Sequence, residues 1–263
     1  LTVSFGGTGY ANLTNPTVAI SSALIERKDP ISAWKFDAIT GITSSIEFRA
    51  ISKEDPYIAV GKSSFYMNTK SGTFWERGRI GFGGTITFNG VGVGNSVHSP
   101  NVYAMAAGDF ASLARAVAIG NSISTWTPID LKEQRQIPAI GQVLTVDSTY
   151  QGNFQDVIWE GVTNTWVAVG AAGSIFTAVG LTTAEAFSQY SGTLQQLNAV
   201  TFGQSEFIAV GNGGVILASN DGTGWSPKVS NTVFDLNDVL YDGSRFIVVG
   251  DNGTIGISTD KNF

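Results

Sequence analysis

The sequence predicts an all-β fold, a β-propeller of about six four-stranded blades, with seven blades if the sequence is incomplete. Three observations predict it. A unit of about 40 residues recurs along the chain, inside the range of propeller blades. Each unit parses into four short strands separated by glycine-bearing turns. Charged residues make up only 14% of the chain and glycines number 32, against about 25% charged and about 7% glycine in an average domain. That composition describes many tight turns and few solvated helix faces, and it excludes helical bundles and coiled coils.

The repeat is clearest at the C-terminal end. LNAVTFGQSEFIAVGNGGVILASNDGTGW (197–225) is followed by LNDVLYDGSRFIVVGDNGTIGISTDKNF (236–263). Leu197, Val200, Phe202, Phe207, Gly211, Gly214, Ile216, Ser219 and Asp221 match Leu236, Val239, Tyr241, Phe246, Gly250, Gly253, Ile255, Ser258 and Asp260, each pair 39 residues apart. Upstream copies drift. FQDVIWEGVTNTWVAVGAAGSIFTA (154–178) keeps Val157, Trp159, Trp166, Gly170, Gly173 and Ile175. VYAMAAGDFASLARA (102–116) keeps Gly108 and closes at Trp126. PYIAVGKSSFYMNTKSGTFW (56–75) keeps Gly61 and closes at Trp75, and the faintest copy begins LTVSFGGTGY and closes at Trp34. One domain over 1–263 is expected, with approximate repeats 1–40, 41–82, 83–130, 151–190, 191–230 and 231–263 and an inserted loop at about 131–150.

Within a repeat, strand A is LNAVTF-like and alternates. Strand B is FIAVG-like and apolar on both faces, as a strand between packed sheets is. A glycine turn (GNGG, GDNG, GAAG) leads to strand C, and an S-x-D-G-x-x-W turn leads to strand D. The turn glycines supply the positive φ that two-residue hairpins require. Trp34, Trp75, Trp126 and Trp225 read as wedges between blades, each able to bury about 150–250 Å²; the alternative is a stacking platform for sugar.

The pattern G-x-x-G-x-I-x-x-S-x-D-G-x-x-W, best seen from Gly211 to Trp225, resembles the Asp-box, or bacterial neuraminidase repeat. Its spacing is most similar to the propeller family of photosystem II assembly factors and related bacterial proteins. The resemblance implies that Asp-box turns are structural and lie on one rim, so Asp221 and Asp260 are expected to cap their own turns. It also invites a test for sialidase chemistry, which uses an arginine triad, a Tyr–Glu nucleophile pair and an Asp acid. Arg27, Arg49, Arg77, Arg79, Arg115, Arg135 and Arg245 include none in a matching context, and sialidase is excluded as an expectation.

The opposite rim, carrying the B–C turns and the starts of the A strands, is the candidate binding face. It presents Lys62, Asp109, Asn212, Asp251, Asn252, Asp156, Asn198 and Asn237, together with Gln155 and Asp238; the plain alternative is a solvated rim. The insertion TPIDLKEQRQIPAIGQVLTVDSTYQG (127–152) holds LKEQRQ, the most helix-compatible stretch. It joins strand D to the next strand A and is expected to project on the same face, adding Lys132 and Arg135. The segment GVGVGNSVHSPN reads as a glycine-rich strand or turn in an A–B connection carrying His98.

The chain has no cysteine and one histidine, a net charge of −6 and 15 scattered basic residues. These exclude a thiolate or multi-histidine metal site, a Cys nucleophile and a phosphate-binding face. No run of 18 apolar residues is present. No nucleophile elbow, Walker loop or zinc-protease motif appears. No catalytic residue, cofactor, nucleic acid or membrane insertion is therefore expected. The start at Leu1 reads as a removed leader or a piece of a longer chain. The expected function is a non-enzymatic structural or host-recognition (adhesin-like) module of a phage virion, contacting other virion proteins or a host receptor or glycan. The alternative is a bacterial assembly factor or glycan-binding propeller, secreted or periplasmic.

Overall fold

The computed structural model describes residues 47–52, 56–69, 75–81, 86–96, 99–119, 122–137 and 142–258. The chain divides into two units, Leu1–Thr43 and Ser44–Phe263, and all described residues belong to the second. The expected repeat 1–40, Trp34, His98 and Asp260 lie outside them.

The second unit is a succession of sheets, each built on antiparallel strands laid down in chain order. The first is β1 (Phe48–Ile51), β2 (Tyr57–Gly61), β3 (Phe65–Thr69) and β4 (Glu76–Arg79). The second is β5 (Phe88–Ser96), β6 (Ser99–Gly108), β7 (Ser112–Ile119) and β8 (Ser122–Ile123), with β9 (Thr127–Pro128) also on β7. After the hairpin β10 (Asp130–Ile137) and β11 (Gln142–Asp147) comes the third, β12 (Phe154–Glu160), β13 (Thr165–Gly170), β14 (Ile175–Val179) and β15 (Glu185–Gln189). The fourth is β16 (Leu197–Gly203), β17 (Glu206–Gly211), β18 (Ile216–Ser219) and β19 (Ser226–Lys228). The fifth, among described residues, holds β20 (Leu236–Tyr241), β21 (Phe246–Gly250) and β22 (Ile255–Ile257).

Consecutive sheets pack through their first strands: β1 on β5, β5 on β12, β12 on β16 and β16 on β20. The second strands show why they must be apolar on both faces. Trp166 and Ala168 of β13 face the second sheet, joining Met105, Leu113, Phe154 and Phe176. Val167 and Val169 face the fourth, joining Leu197, Val200, Phe207 and Leu217. In β17, Phe207 and Ala209 share that cluster. Ile208 and Val210 point the other way, onto Leu236, Val239 and Phe246. A strand with period two sandwiched between two sheets has no polar face to offer. Trp126 wedges between the first two sheets, buried with Ile58, Val60 and Ile80 and edge-on to Tyr66 at 5.6 Å. Trp225 and Trp75 are half-buried, and Trp225 packs against the cluster joining the third and fourth sheets.

Two expectations are corrected. LKEQRQ is neither helix nor loop. It is the body of β10, which pairs parallel with β15 (Asp130–Lys132 on Glu185–Phe187) and antiparallel with β11. The insertion thus extends the third sheet to six strands. Its helix-compatible residues yield to an available sheet edge, since tertiary pairing outweighs a weak local preference. GVGVGN is a glycine-rich strand, one of the two expected states, but it lies within β5, the first strand of its sheet, and not in an A–B connection. Its alternate glycines form one face against β12: a Cβ on Gly90 would sit 2.6 Å from Asp156 Cα, on Gly92 2.8 Å from Val157 O, and on Gly94 2.7 Å from the Trp159 ring. Val91 and Val93 fill the core on the other face.

Candidate functional site

Every described sheet passes from its second to its third strand through the same turn. Two successive residues are left-handed: Ser63 and Ser64, Phe110 and Ala111, Ala172 and Gly173, Gly213 and Gly214, Asn252 and Gly253, with φ between 52° and 75°. Positive φ at both central positions is the type I′ hairpin, whose twist matches that of the strands.

The glycine before each turn has another cause. Gly61, Gly108, Gly170, Gly211 and Gly250 end the second strands, and Gly211 is extended at φ −167°. A Cβ there would lie only 2.0–2.3 Å from the carbonyl oxygen of Glu47, Thr87, Asn153, Gln196 or Asp235. These glycines mark close backbone approach at the start of the first strand. There the ladder also slips by one residue, leaving Arg49, Asn89, Gln155, Asn198 and Asn237 at a β-bulge. A bulge re-aims a side chain, and in the second, fourth and fifth sheets it aims an asparagine at the turn.

Of the polar residues expected on this face, Lys62, Asp109, Asp156, Asn198, Asn212, Asn237 and Asp251 are held by hydrogen bonds or ion pairs. Asn198 Nδ2 donates to Asn212 Oδ1 at 2.9 Å and to the Leu236 carbonyl of the next sheet at 2.8 Å. Asn89 does the same with Asp109 Oδ1 at 3.1 Å and the Phe154 carbonyl at 2.9 Å. Asn237 donates to Asp251 Oδ1 at 2.8 Å. In the first sheet ions replace amides: Glu47 pairs with Lys62 and, at 2.5 Å, with Arg49. The Lys62 hydrogen bond leads in holding the Glu47 carboxyl below its ordinary range. Asp156 fastens sheets: its Oδ1 accepts the Val157 N–H at 2.8 Å and its Oδ2 the Val200 N–H of the next sheet at 3.0 Å. Asn252 occupies a left-handed turn position, φ 52°, which asparagine tolerates.

The turns of the first, second and fourth sheets are also seated on the connection that opens the next sheet: Ser64 N–H donates to the Ile86 carbonyl at 2.7 Å. Phe110 N–H donates to Asn153 Oδ1 at 3.1 Å and Ala111 N–H to the Gly152 carbonyl at 2.7 Å. Gly213 N–H donates to Asp235 Oδ1 at 2.7 Å. At these junctions turn and connection form one surface. Sequence reasoning missed Glu47, Asn89 and Asp235. Asn89 carries the same register as Asn198, and that alignment was the available signal.

Lys132 and Arg135 sit elsewhere. Both are on β10, with Lys132 3.8 Å from Glu185 and Arg135 opposite Leu144. β10 runs past the paired end of β15 toward the turn side, but from the outer edge of the sheet, so neither residue joins the turn row. Where this hairpin rejoins the sheet, Glu133, Tyr150, Ser174, Phe176, Ser188 and Gln189 line a shallow cleft. Tyr150 donates to the Asn153 carbonyl at 3.0 Å, and burial pushes its hydroxyl pKa up.

No protein-family model matches the chain, and no curated protein matches it. Solved structures do match. YCF48 bound to D1 peptide aligns with TM-score 0.56 at 17% identity, covering 84% of this chain and 66% of that one. YCF48 from Cyanidioschyzon merolae aligns with TM-score 0.50 at 18% identity, covering 80% and 68%. The WD40 propeller domain of Doa1 aligns with TM-score 0.51 at 10% identity, covering 83% and 67%. The chain spans about two thirds of the length of each of these structures.

The fold is a β-propeller. Five described blades between residues 47 and 258 are consistent with the expected count of about six. At the far end of this propeller from the turn rim, Asp221 Oδ1 accepts the N–H groups of Thr223 at 2.8 Å and Gly224 at 3.2 Å. The Thr223 N–H leads in lowering the Asp221 carboxyl to about 2. Trp225 Nε1 donates to the Gly222 carbonyl at 2.8 Å. Among the described residues, no group of three His, Cys, Asp or Glu side chains is placed to hold a metal ion.

Proposed function

We propose that this propeller is a non-enzymatic interaction module that offers its turn rim to a protein partner. One observation carries the reading: the same turn and bulge recur in all five described blades, and hydrogen bonds seat the turns of the first, second and fourth on the connection to the next blade, so the rim is a rigid surface rather than a set of independent loops. A rigid surface loses little conformational freedom on binding. The structure of YCF48 with a D1 peptide, sharing the fold, supports peptide as the kind of partner.

The setting we propose is a phage virion, where the chain acts as a structural or host-recognition part facing other virion proteins or a host receptor. Composition supports it: no cysteine, two methionines and few charges. Antibody labelling of particles, with crosslinking through cysteines placed at Asn212 and Asn252, tests both statements. Labelled particles and a crosslinked partner are expected. Unlabelled particles overturn the virion setting, and crosslinks that form only from the Asp221 end overturn the rim.

A further inference from the structure

The rim carries exposed apolar side chains at repeated places. Leu194 is 87% exposed and Val233 80%, and they are 39 residues apart at equivalent positions of the connections entering the fourth and fifth blades. The turns that hold them are alike. Ser191 Oγ donates to the Thr193 carbonyl at 3.2 Å, and Ser230 Oγ to that of Thr232 at 3.1 Å. Gly192 and Asn231 take positive φ. The Thr193 and Thr232 hydroxyls accept the N–H groups of Gln195 and Phe234 at 3.0 and 3.1 Å. At the junction of the second and third blades the same role falls to Phe110, 72% exposed, in the left-handed region at φ 54°. A bulky side chain there is strained, and the equivalent positions in other blades hold Ser, Ala, Gly and Asn. The connections entering the fourth and fifth blades thus repeat one exposed apolar side chain on the same built support, beside the exposed Tyr190, Val229 and Phe234, and the junction before them exposes Phe110. Single exposed apolar residues are ordinary; a periodic set on hydrogen-bonded turns is not.

Charge selects the occupant. The turns and connections around these side chains (109–111, 148–153, 171–174, 190–196, 212–215, 229–235 and 251–254) contain Asp109, Asp235 and Asp251 and no lysine or arginine; the adjoining basic residues are Lys228, closing β19, and Lys132 of β10, which lies opposite Asp147 and 3.8 Å from Glu185. Each carboxylate accepts one hydrogen bond named above, and a carboxylate has about four acceptor sites. We infer that the rim from Phe110 to Asn252 is a docking surface for an extended, lysine- or arginine-bearing segment of a partner protein, whose apolar side chains pack on Phe110, Leu194 and Val233 while its cations meet Asp109, Asp235 and Asp251. The inference rests on the interaction-module reading and adds the chemistry of the partner.

The test uses fluorescence anisotropy with labelled peptides of about twelve residues, roughly 40 Å extended. They share the same leucine and phenylalanine content and are made cationic, neutral or anionic. The cationic probe is expected to bind. Its affinity should fall about tenfold or more in L194S/V233S and in D109N/D251N, whose amides keep their acceptor oxygens, and should hold in E206Q at the opposite end. Equal binding of the neutral or anionic probe, lost in L194S/V233S, overturns the charge assignment and leaves the rim as an interaction surface. Cationic binding indifferent to L194S/V233S overturns the docking site. If no probe binds and L194S/V233S leaves virion crosslinking intact, both the inference and the rim reading fail.

Discussion

Replacing Gly211 by alanine tests the origin of the recurring glycine. The added Cβ would lie 2.0 Å from the Gln196 carbonyl oxygen and 3.0 Å from Leu197 Cα. Both are backbone atoms, so no rotamer change relieves the clash, and the strands must part by about 1 Å to reach van der Waals distance. That separation breaks the Asn212 N–H bond to Gln196 O, now 2.9 Å. It also drags Asn198 off its two partners. Overpacking costs about 1–3 kcal/mol and the lost backbone bond about 1 kcal/mol. A gain of about 0.5–1 kcal/mol from the stiffer unfolded chain offsets part of this. The net is about 2 kcal/mol, which for a unit of this size lowers the melting temperature by roughly 4–8 °C. Gly213→Ala is the control. Gly213 has φ +67° but no atom nearer than 3.9 Å, and the equivalent residue in the third blade is already an alanine, Ala172 at φ 53°. Its cost is the left-handed strain of about 1–2 kcal/mol, partly offset by the same stiffening of the unfolded chain. Thermal melts followed by circular dichroism compare the two. Melting temperatures within about 2 °C of each other would refute close approach as the reason for the glycine.

Other substitutions probe the blade contacts. Trp126→Ala, emptying a site 5% exposed between the first two blades, should cost about 3–5 kcal/mol. Calorimetry should show Trp225→Ala, half-buried, costing clearly less, and the reverse order would contradict the wedge assignment. Asn198→Ala strips the Leu236 carbonyl of its cross-blade donor and should cost about 1–2 kcal/mol in urea titration; a neutral result would mean that the bond contributes nothing. For Asp221 the folded pKa, about 2, lies below the ordinary 3.8. Its stabilisation is therefore complete above about pH 4 and lost as pH falls from there toward 2. Asp221→Asn should be less stable than the parent at neutral pH and lose less on acidification through that window. Parallel acid curves would show that the carboxylate does not act through its turn.

What was legible in the sequence was whatever repeats with fixed spacing. The FIAVG-like strands announce themselves because both their faces are buried, and the turns of the fourth and fifth blades because their two left-handed positions hold Gly and Asn. The reason for the marker glycines was not legible: the letter is the same whether φ or crowding demands it, and only the register between Leu197 and Gly211 separates the two. The insertion was misread for a related reason. DLKEQRQI has no strand-like alternation of apolar residues, and its state is set by the open edge of β15, which local sequence does not contain. The candidate face shows both effects together. Asn198, Asn212, Asn237 and Asp251 were found because they recur at 39 residues, whereas Asn89 and Glu47, doing the same work in drifted blades, were passed over. Leu194 and Val233 recur just as regularly, yet a lone apolar residue in a loop carries no polar signature. Their meaning depends on the serine and threonine turns beneath them. A residue that holds the rim together can be read from its own type, but one that the rim displays is recognised only by its support.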